Sequence, residues 1–175
     1  MATGLIHLYT GEGKGKTTAS LGLALRASGA GKQVLFVQFL KGWPTSELNS
    51  LHLLPNVQII RNEKRFGFWS KLSEQEKEEE RQLHNQNLQK VRELVQQKKV
   101  DVLILDEAVG AYSLQALDRR LLEELIEEKP AELEIVVTGR NPEPFFLEKA
   151  NYITEMKKHR HPKDQGIVAR KGIEF

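Results

Sequence analysis

YTGEGKGKTT, residues Tyr9 to Thr18, sets Gly11, Gly13 and Gly15 around Lys14 and Lys16 and closes on Thr17 and Thr18. An apolar run, Leu5 to Tyr9, precedes it, and a helical pattern from Lys16 to Ser28 follows, closing on Gly29 and Gly31. A glycine-rich turn between a strand and a helix lets successive backbone N–H groups converge at a helix N-terminus, where a polyphosphate is well accommodated. In such a loop Lys16 supplies a point charge and Thr17 offers its hydroxyl to Mg²⁺. The common pattern has glycine five positions before Gly15, but Thr10 stands there. Gly11 and Gly13 are therefore expected to provide the backbone freedom. The expected cradle comprises Thr10, Gly11, Glu12, Gly13, Lys14, Gly15, Lys16, Thr17 and Thr18.

Working outward, further strand-like runs cover Gln33 to Phe39, Val57 to Ile60, Val100 to Leu105 and Leu133 to Thr138, with a weaker one from Tyr152 to Met156. Most are continuously apolar, the pattern of strands covered on both faces. Helical patterns separate them, including Leu117 to Glu128, stopped by Pro130, and a long one from about Ser73 to Lys99. Ser73 and Glu76 have capping-box spacing, the acids from Glu74 to Glu80 suit a helix start, and Lys98 and Lys99 suit its end. Leu88, Val91, Leu94 and Val95 form the buried stripe, and the acidic run is expected to be a solvated face. Alternating strands and helices predict an α/β protein of three layers with a mostly parallel central sheet. No repeat or compositional break divides residues 1–175, so one domain is expected.

The run VDVLILDEA, Val100 to Ala108, supplies the loop's partner. A hydrophobic strand ending in Asp106 and Glu107 delivers carboxylates to the sheet edge where the loop lies. Mg²⁺ takes hard oxygen ligands and retains waters, so Thr17, Glu107 and Asp106 with phosphate oxygens suffice as its candidate ligands. Mg²⁺ with a nucleoside triphosphate is the expected ligand. Gln38 and Lys41, at the end of the second strand, are expected to face it as well, and Arg140 is placed either to reach phosphate or to form a surface salt bridge.

Composition narrows the rest. The 39% hydrophobic and 29% charged content is that of a globular protein, and no apolar run is long enough to cross a membrane. A formal charge of +2, from 26 basic and 24 acidic residues, gives no overall attraction to nucleic acid or anionic lipid. With no cysteine, disulfides and thiolate metal sites are excluded. A cytoplasmic location is expected. His159 and His161, amid Lys157, Lys158, Arg160 and Lys163, read as part of a basic surface loop. A P-loop alone serves kinases, motors, switches and transferases, so the reaction stays open at this point.

The longer motifs close part of that gap. YTGEGKGKTTASLGLALRASGAGKQVLFVQFLKG (Tyr9 to Gly42), LDEAVGAY (Leu105 to Tyr112), EIVVTGRNPEP (Glu134 to Pro144) and YITEMKKHRHPKDQGIVARKGIEF (Tyr152 to Phe175) resemble, in order and spacing, the ATP:corrinoid adenosyltransferases of the cobalamin pathway. That family's loop shares the Thr at the first glycine position. The resemblance implies a RecA-like P-loop NTPase fold and an unusual use of ATP. A reduced corrinoid, as Co(I), attacks ribose C5′ and expels the whole triphosphate, which lies in the loop reversed relative to ordinary NTPases. It further implies a flavin-type reductase as electron source and a homodimer. The competing readings are another P-loop NTPase or phosphotransferase, and a nucleotide or corrinoid binding module that does not turn over.

On the family reading, Lys14, Lys16 and the loop amides meet the departing charge. The segment KRFGFWSK offers Phe66, Phe68 and Trp69 as flat side chains to press on a corrin face and displace the lower cobalt ligand; Phe68 and Trp69 are the first candidates. The competing role for each is closing the core. Longer members have an extension before the first strand that covers the site, whereas here the strand begins almost at once. Ser46 stands where the family pattern has glycine, and Phe145-Phe146 replaces a more polar pair; these changes bear on corrinoid preference or on packing.

Overall fold

The computed structural model describes residues 3–175. Six parallel strands form one sheet: β1 (Ile6–Thr10), β2 (Val34–Gln38), β3 (Val57–Arg61), β4 (Val102–Asp106), β5 (Glu134–Thr138) and β6 (Tyr152–Glu155), in the spatial order β3-β2-β4-β5-β1-β6. All six fall on the expected runs within a residue or two, and every pairing is parallel.

Burial explains why the central strands read so clearly. All five residues of β2 and of β4 are buried. Alternate residues of these strands feed opposite layers. Leu35, Val37, Leu103, Leu105, Ile135 and Val137 pack under the long helix α3 (Glu74–Gln96) and under α4 (Ala108–Ser113), α5 (Arg119–Glu127) and α6 (Pro144–Lys149). Phe36, Val102, Ile104 and Val136 pack under α1 (Lys16–Gly29) and α2 (Ser46–Leu51) on the other face. A three-layer sandwich results.

Three features of the fold bear on the site. The weakest strand, β6, pairs with β1 through His7 to Thr10 but all four of its residues are exposed, so double-sided coverage stops at β1. Helix α3 starts where the capping box places it, with the Ser73 hydroxyl accepting from the Glu76 N–H at 3.3 Å and Glu76 accepting from the Ser73 N–H at 2.8 Å. It is not, however, solvated along its whole acidic run. Glu80 is only 4% exposed, because it falls on the same face as His84, Leu88, Val91 and Val95, at helical spacing. Third, β5 lies between β1 and β4, so the strand ending in Asp106 is one removed from the strand feeding the loop.

Candidate active site

The loop between β1 and α1 is shaped by its neighbour as much as by its own torsions. Gly11 and Gly15 have φ of 98° and 120°, in the region that favours glycine. Gly13 is required for a different reason. A Cβ there would lie 2.5 Å from the carbonyl oxygen of Met156, and the Gly13 N–H donates to that same oxygen at 2.6 Å. The segment after β6 is thus stitched to the loop, which accounts for a glycine pattern shifted from the common one. Inside the loop the buried Lys16 ammonium donates to the carbonyls of Gly11 (2.6 Å) and Gly13 (2.9 Å), and burial lowers its pKa.

Asp106 and Glu107 are adjacent in sequence but not alike in setting. Asp106 is fully buried and saturated: Oδ1 accepts from Thr17 Oγ1 (2.9 Å) and Thr138 Oγ1 (2.8 Å), while Oδ2 accepts from Lys41 Nζ (2.9 Å) and Gln38 Nε2 (3.4 Å). Thr138, at the end of the inserted strand β5, bridges the gap between β4 and β1. It also accepts from the Glu107 N–H at 2.9 Å. Glu107 adopts a left-handed conformation, φ 60°, that turns the chain into α4. Its carboxylate faces the pocket and accepts no hydrogen bond among the described residues, and burial together with nearby Asp106 raises its pKa.

The pocket holding these groups has a volume of about 270 Å³. Gly13 to Thr18 form one wall, and Lys41, Glu107 and Arg140 line the rest, together with His161, Ile173 and Glu174. Arg140 lines the pocket, and its guanidinium donates to Glu12 at 2.6 Å, the surface salt bridge of the two roles expected for it. Gln38 is placed otherwise than expected. Only 1% exposed, it sits behind Asp106 and accepts from Arg61 at 3.1 Å, so it supports the site without lining it. Among the described residues no cluster of three His, Cys, Asp or Glu side chains forms a protein-only metal cage.

The model of the ATP:corrinoid adenosyltransferase BtuR/CobO/CobP family matches residues 2–175. The chain belongs to that family. It is 32% identical over 177 residues to the corrinoid adenosyltransferase of Escherichia coli K12, covering 98% of this chain and 86% of that one. It is 33% identical over 177 residues to the corrinoid adenosyltransferase CobA of Salmonella typhimurium LT2, with the same coverage of 98% and 86%. Among solved structures, the cytoplasmic domain of EssC superposes with a TM-score of 0.58 at 15% identity, over 96% of this chain and 34% of that one. EssC ATPases 2 and 3 from Geobacillus thermodenitrificans give 0.53 at 14% identity, over 97% and 35%. These two likenesses concern the fold alone and agree with a P-loop α/β architecture.

In this adenosyltransferase-family chain the aromatic segment divides. Phe66 is buried, 8% exposed, and Trp69 packs on the core beneath α3 in a short 3₁₀ turn, Trp69–Lys71. Phe68 instead projects outward, 68% exposed, with its ring 6.4 Å from that of Trp43. The Phe145-Phe146 pair is a packing feature: both rings contact Tyr112, at 6.2 and 5.0 Å, and Arg119 lies over Tyr112 at 4.4 Å. Ser46 donates to the Phe175 carbonyl at 2.9 Å.

The C-terminal segment is what sequence reasoning undervalued. Its residues returned to the loop include His161, expected on a basic surface but lining the pocket, and Glu174, which accepts from Lys14 Nζ at 3.0 Å. A cavity of about 600 Å³ opens beside the pocket, floored by Ile167, Val168 and Ala169, and Lys14 and Glu174 border both spaces. The matched motif ending in KGIEF signalled the segment's importance without indicating which wall it builds.

Proposed function

We propose that the chain transfers the 5′-deoxyadenosyl group of Mg·ATP to the Co(I) of a reduced corrinoid, such as cobyrinic acid a,c-diamide, cobinamide or cobalamin, and releases triphosphate. The observation that carries this reading is the family match across residues 2–175, well beyond what a phosphate loop alone would produce. The corrinoid's cobalt supplies the electron pair; a bond forms to C5′, the C5′–O bond breaks, and its electrons leave on triphosphate. No side chain has to activate a nucleophile. The protein's work is to align the two substrates and to meet the charge that develops on the leaving group.

The loop suits the second task. Lys16, whose ammonium rests on the carbonyls of Gly11 and Gly13, and the N–H groups at the start of α1 would meet the developing anion from within the cradle, and Lys14 and Arg140 would turn to it from their pairings with Glu174 and Glu12 on the rim. Thr17 and Glu107 are the residues that would hold Mg²⁺, because Glu107 has free carboxylate oxygens while those of Asp106 are occupied by four donors. When bound, the ion would neutralise phosphate charge. Asp106 acts one step back, orienting Thr17 and Lys41. At the other end, the exposed Phe68, with Trp69 behind it, is suited to lie against a corrin face. The reading also includes a flavin-type electron donor and a homodimer, which rest on family resemblance, and a cytoplasmic location with residues 1–175 acting as one unit, which rest on length and composition.

Incubating the protein with Mg·ATP and chemically reduced cobalamin tests the assignment. A light-sensitive alkylcobalamin should form at the rate at which ATP disappears. ADP or orthophosphate without a new cobalt–carbon bond would identify an ordinary phosphohydrolase or phosphotransferase and overturn it.

A further inference from the structure

Two buried titratable side chains of α3, Glu80 and His84, have no part in the chemistry above. His84 is 1% exposed and lies under the turn that leaves β2. Its Nδ1 is 2.8 Å from the Ala116 carbonyl oxygen. A carbonyl can only accept, so Nδ1 carries the proton and Nε2 presents a lone pair. The N–H of Leu40 donates to that lone pair at 3.4 Å. Phe39 meets the ring edge-on at 5.3 Å, and Glu80 Oε1 stands 3.9 Å from Nε2. Burial holds the imidazole down to about 4 and the Glu80 carboxyl up at about 7, which favours the neutral ring that this hydrogen bond needs.

Leu40 is a residue that has to be held. Its φ of 57° is in the left-handed region that a branched side chain avoids. The residues around it are fixed from other directions: the Phe39 N–H donates to the Asp106 carbonyl at 3.0 Å, and Arg61 donates to the carbonyls of Lys41 (2.8 Å) and Trp43 (2.9 Å). Leu40's own N–H has His84. The next residue is Lys41, whose ammonium reaches Asp106 Oδ2 at 2.9 Å and Thr17 Oγ1 at 3.3 Å. A turn relaxed at Leu40 would carry Lys41 away from both.

We propose that His84 is a positioning residue for the phosphate site: by accepting the Leu40 N–H it holds the left-handed turn that aims Lys41 at Thr17 and Asp106. The inference rests on the preceding reading only in taking Lys41 to face the triphosphate. A double-mutant cycle between His84→Met and Lys41→Ala, read on both the Mg·ATP dissociation constant and turnover, tests it. Methionine fills the space but is a weak acceptor. His84→Met should weaken Mg·ATP binding and lower kcat/KM by roughly 10-fold through misplacement of Lys41. In the Lys41→Ala background the same change should add less than about 2-fold, because the group it positions is gone. His84→Gln, whose amide oxygen can accept from Leu40, should recover most of the loss. Losses that multiply in the double variant, or binding unaltered by His84→Met, would overturn the proposal. Should His84→Met fail to fold, hydrogen exchange of the unsubstituted protein decides: the Leu40 amide should be protected, and exchange at the rate of an open loop would refute the clamp. A wild-type protein that binds Mg·ATP without transferring the adenosyl group would defeat the proposed reaction while leaving the binding cycle fully able to judge His84.

Discussion

In the pocket proposed to hold phosphate, Lys16, Thr17 and Asp106 are buried or half-buried and tied into the loop and its neighbouring strand, whereas in the segment proposed to meet the corrin Phe68 stands 68% exposed with Trp43 and Lys71 near its ring. The first region is held together by its own hydrogen bonds, which keeps the Lys16 charge beside the pocket and limits the reorganisation needed to meet a developing charge. The second leaves a large apolar ring in water, an arrangement suited to receiving a flat apolar partner. The contrast matches the two tasks of the proposed reaction: a fixed cradle for the leaving group and an open face for a bulky acceptor.

The largest effect that could break this comparison is at Lys16. Lys16→Ala should lower kcat/KM by roughly 100- to 1,000-fold, as loss of one well-placed charge stabiliser does. Steady-state measurement with pre-reduced corrinoid checks it, and a loss below about 5-fold would mean that the cradle is not where charge develops. Phe68→Ala probes the other end. Starting from Co(II) with a weak reductant, transfer should slow by about 10-fold, while starting from Co(I) it should change far less, since ligand displacement is then no longer needed. Stability should move by less than about 0.5 kcal/mol, because the side chain is exposed. Equal losses from both starting states would remove the ligand-displacing role. Lys14→Ala, on the half-exposed rim, should slow transfer by about 3-fold and leave the fold intact; a loss as large as that at Lys16 would place the rim inside the cradle.

The smallest test concerns the layer behind the site. Glu80, raised to about 7 from an ordinary 4.5 by burial, stays protonated in the folded chain at pH values where the unfolded chain ionises it. Its neutral form is undisturbed below about pH 4.5, and stability is lost as pH rises through 7, because the unfolded state then binds fewer protons. His84 runs the other way: lowered to about 4 from 6.5, it costs stability as pH falls through that window. Glu80→Gln removes the first slope alone. The Tm of the variant relative to the unsubstituted protein should therefore rise by roughly 5 °C between pH 5 and pH 8, and a pH-independent difference would show that the carboxyl titrates normally.

What could be read from sequence follows burial and locality. Strands β2 and β4, apolar along their whole length, and the capping box at Ser73 depend on neighbours in sequence and were legible. So was the placement of Lys16 and Thr17, because a strand–loop–helix context carries the motif, and of Asp106 at the end of an apolar strand, though not that four donors would occupy its oxygens. Glu80 was misjudged since a run of acids looks solvated until the helical phase places one of them in line with His84 and Leu88. Gln38 ends a strand at the ligand edge, yet its side chain turns under Asp106. Thr138, His161 and Glu174 were missed for a third reason: each reaches the site from a segment far along the chain, and no local pattern reports which loops a tail will return to.

The central claim is that the bond broken is C5′–O, and oxygen-18 in the 5′ bridging position of ATP tests it most directly. Turnover with reduced corrinoid should leave the label in released triphosphate, with adenosine bonded to cobalt through C5′. Label retained in ADP, AMP or free nucleoside would mean cleavage at phosphorus and would contradict the account.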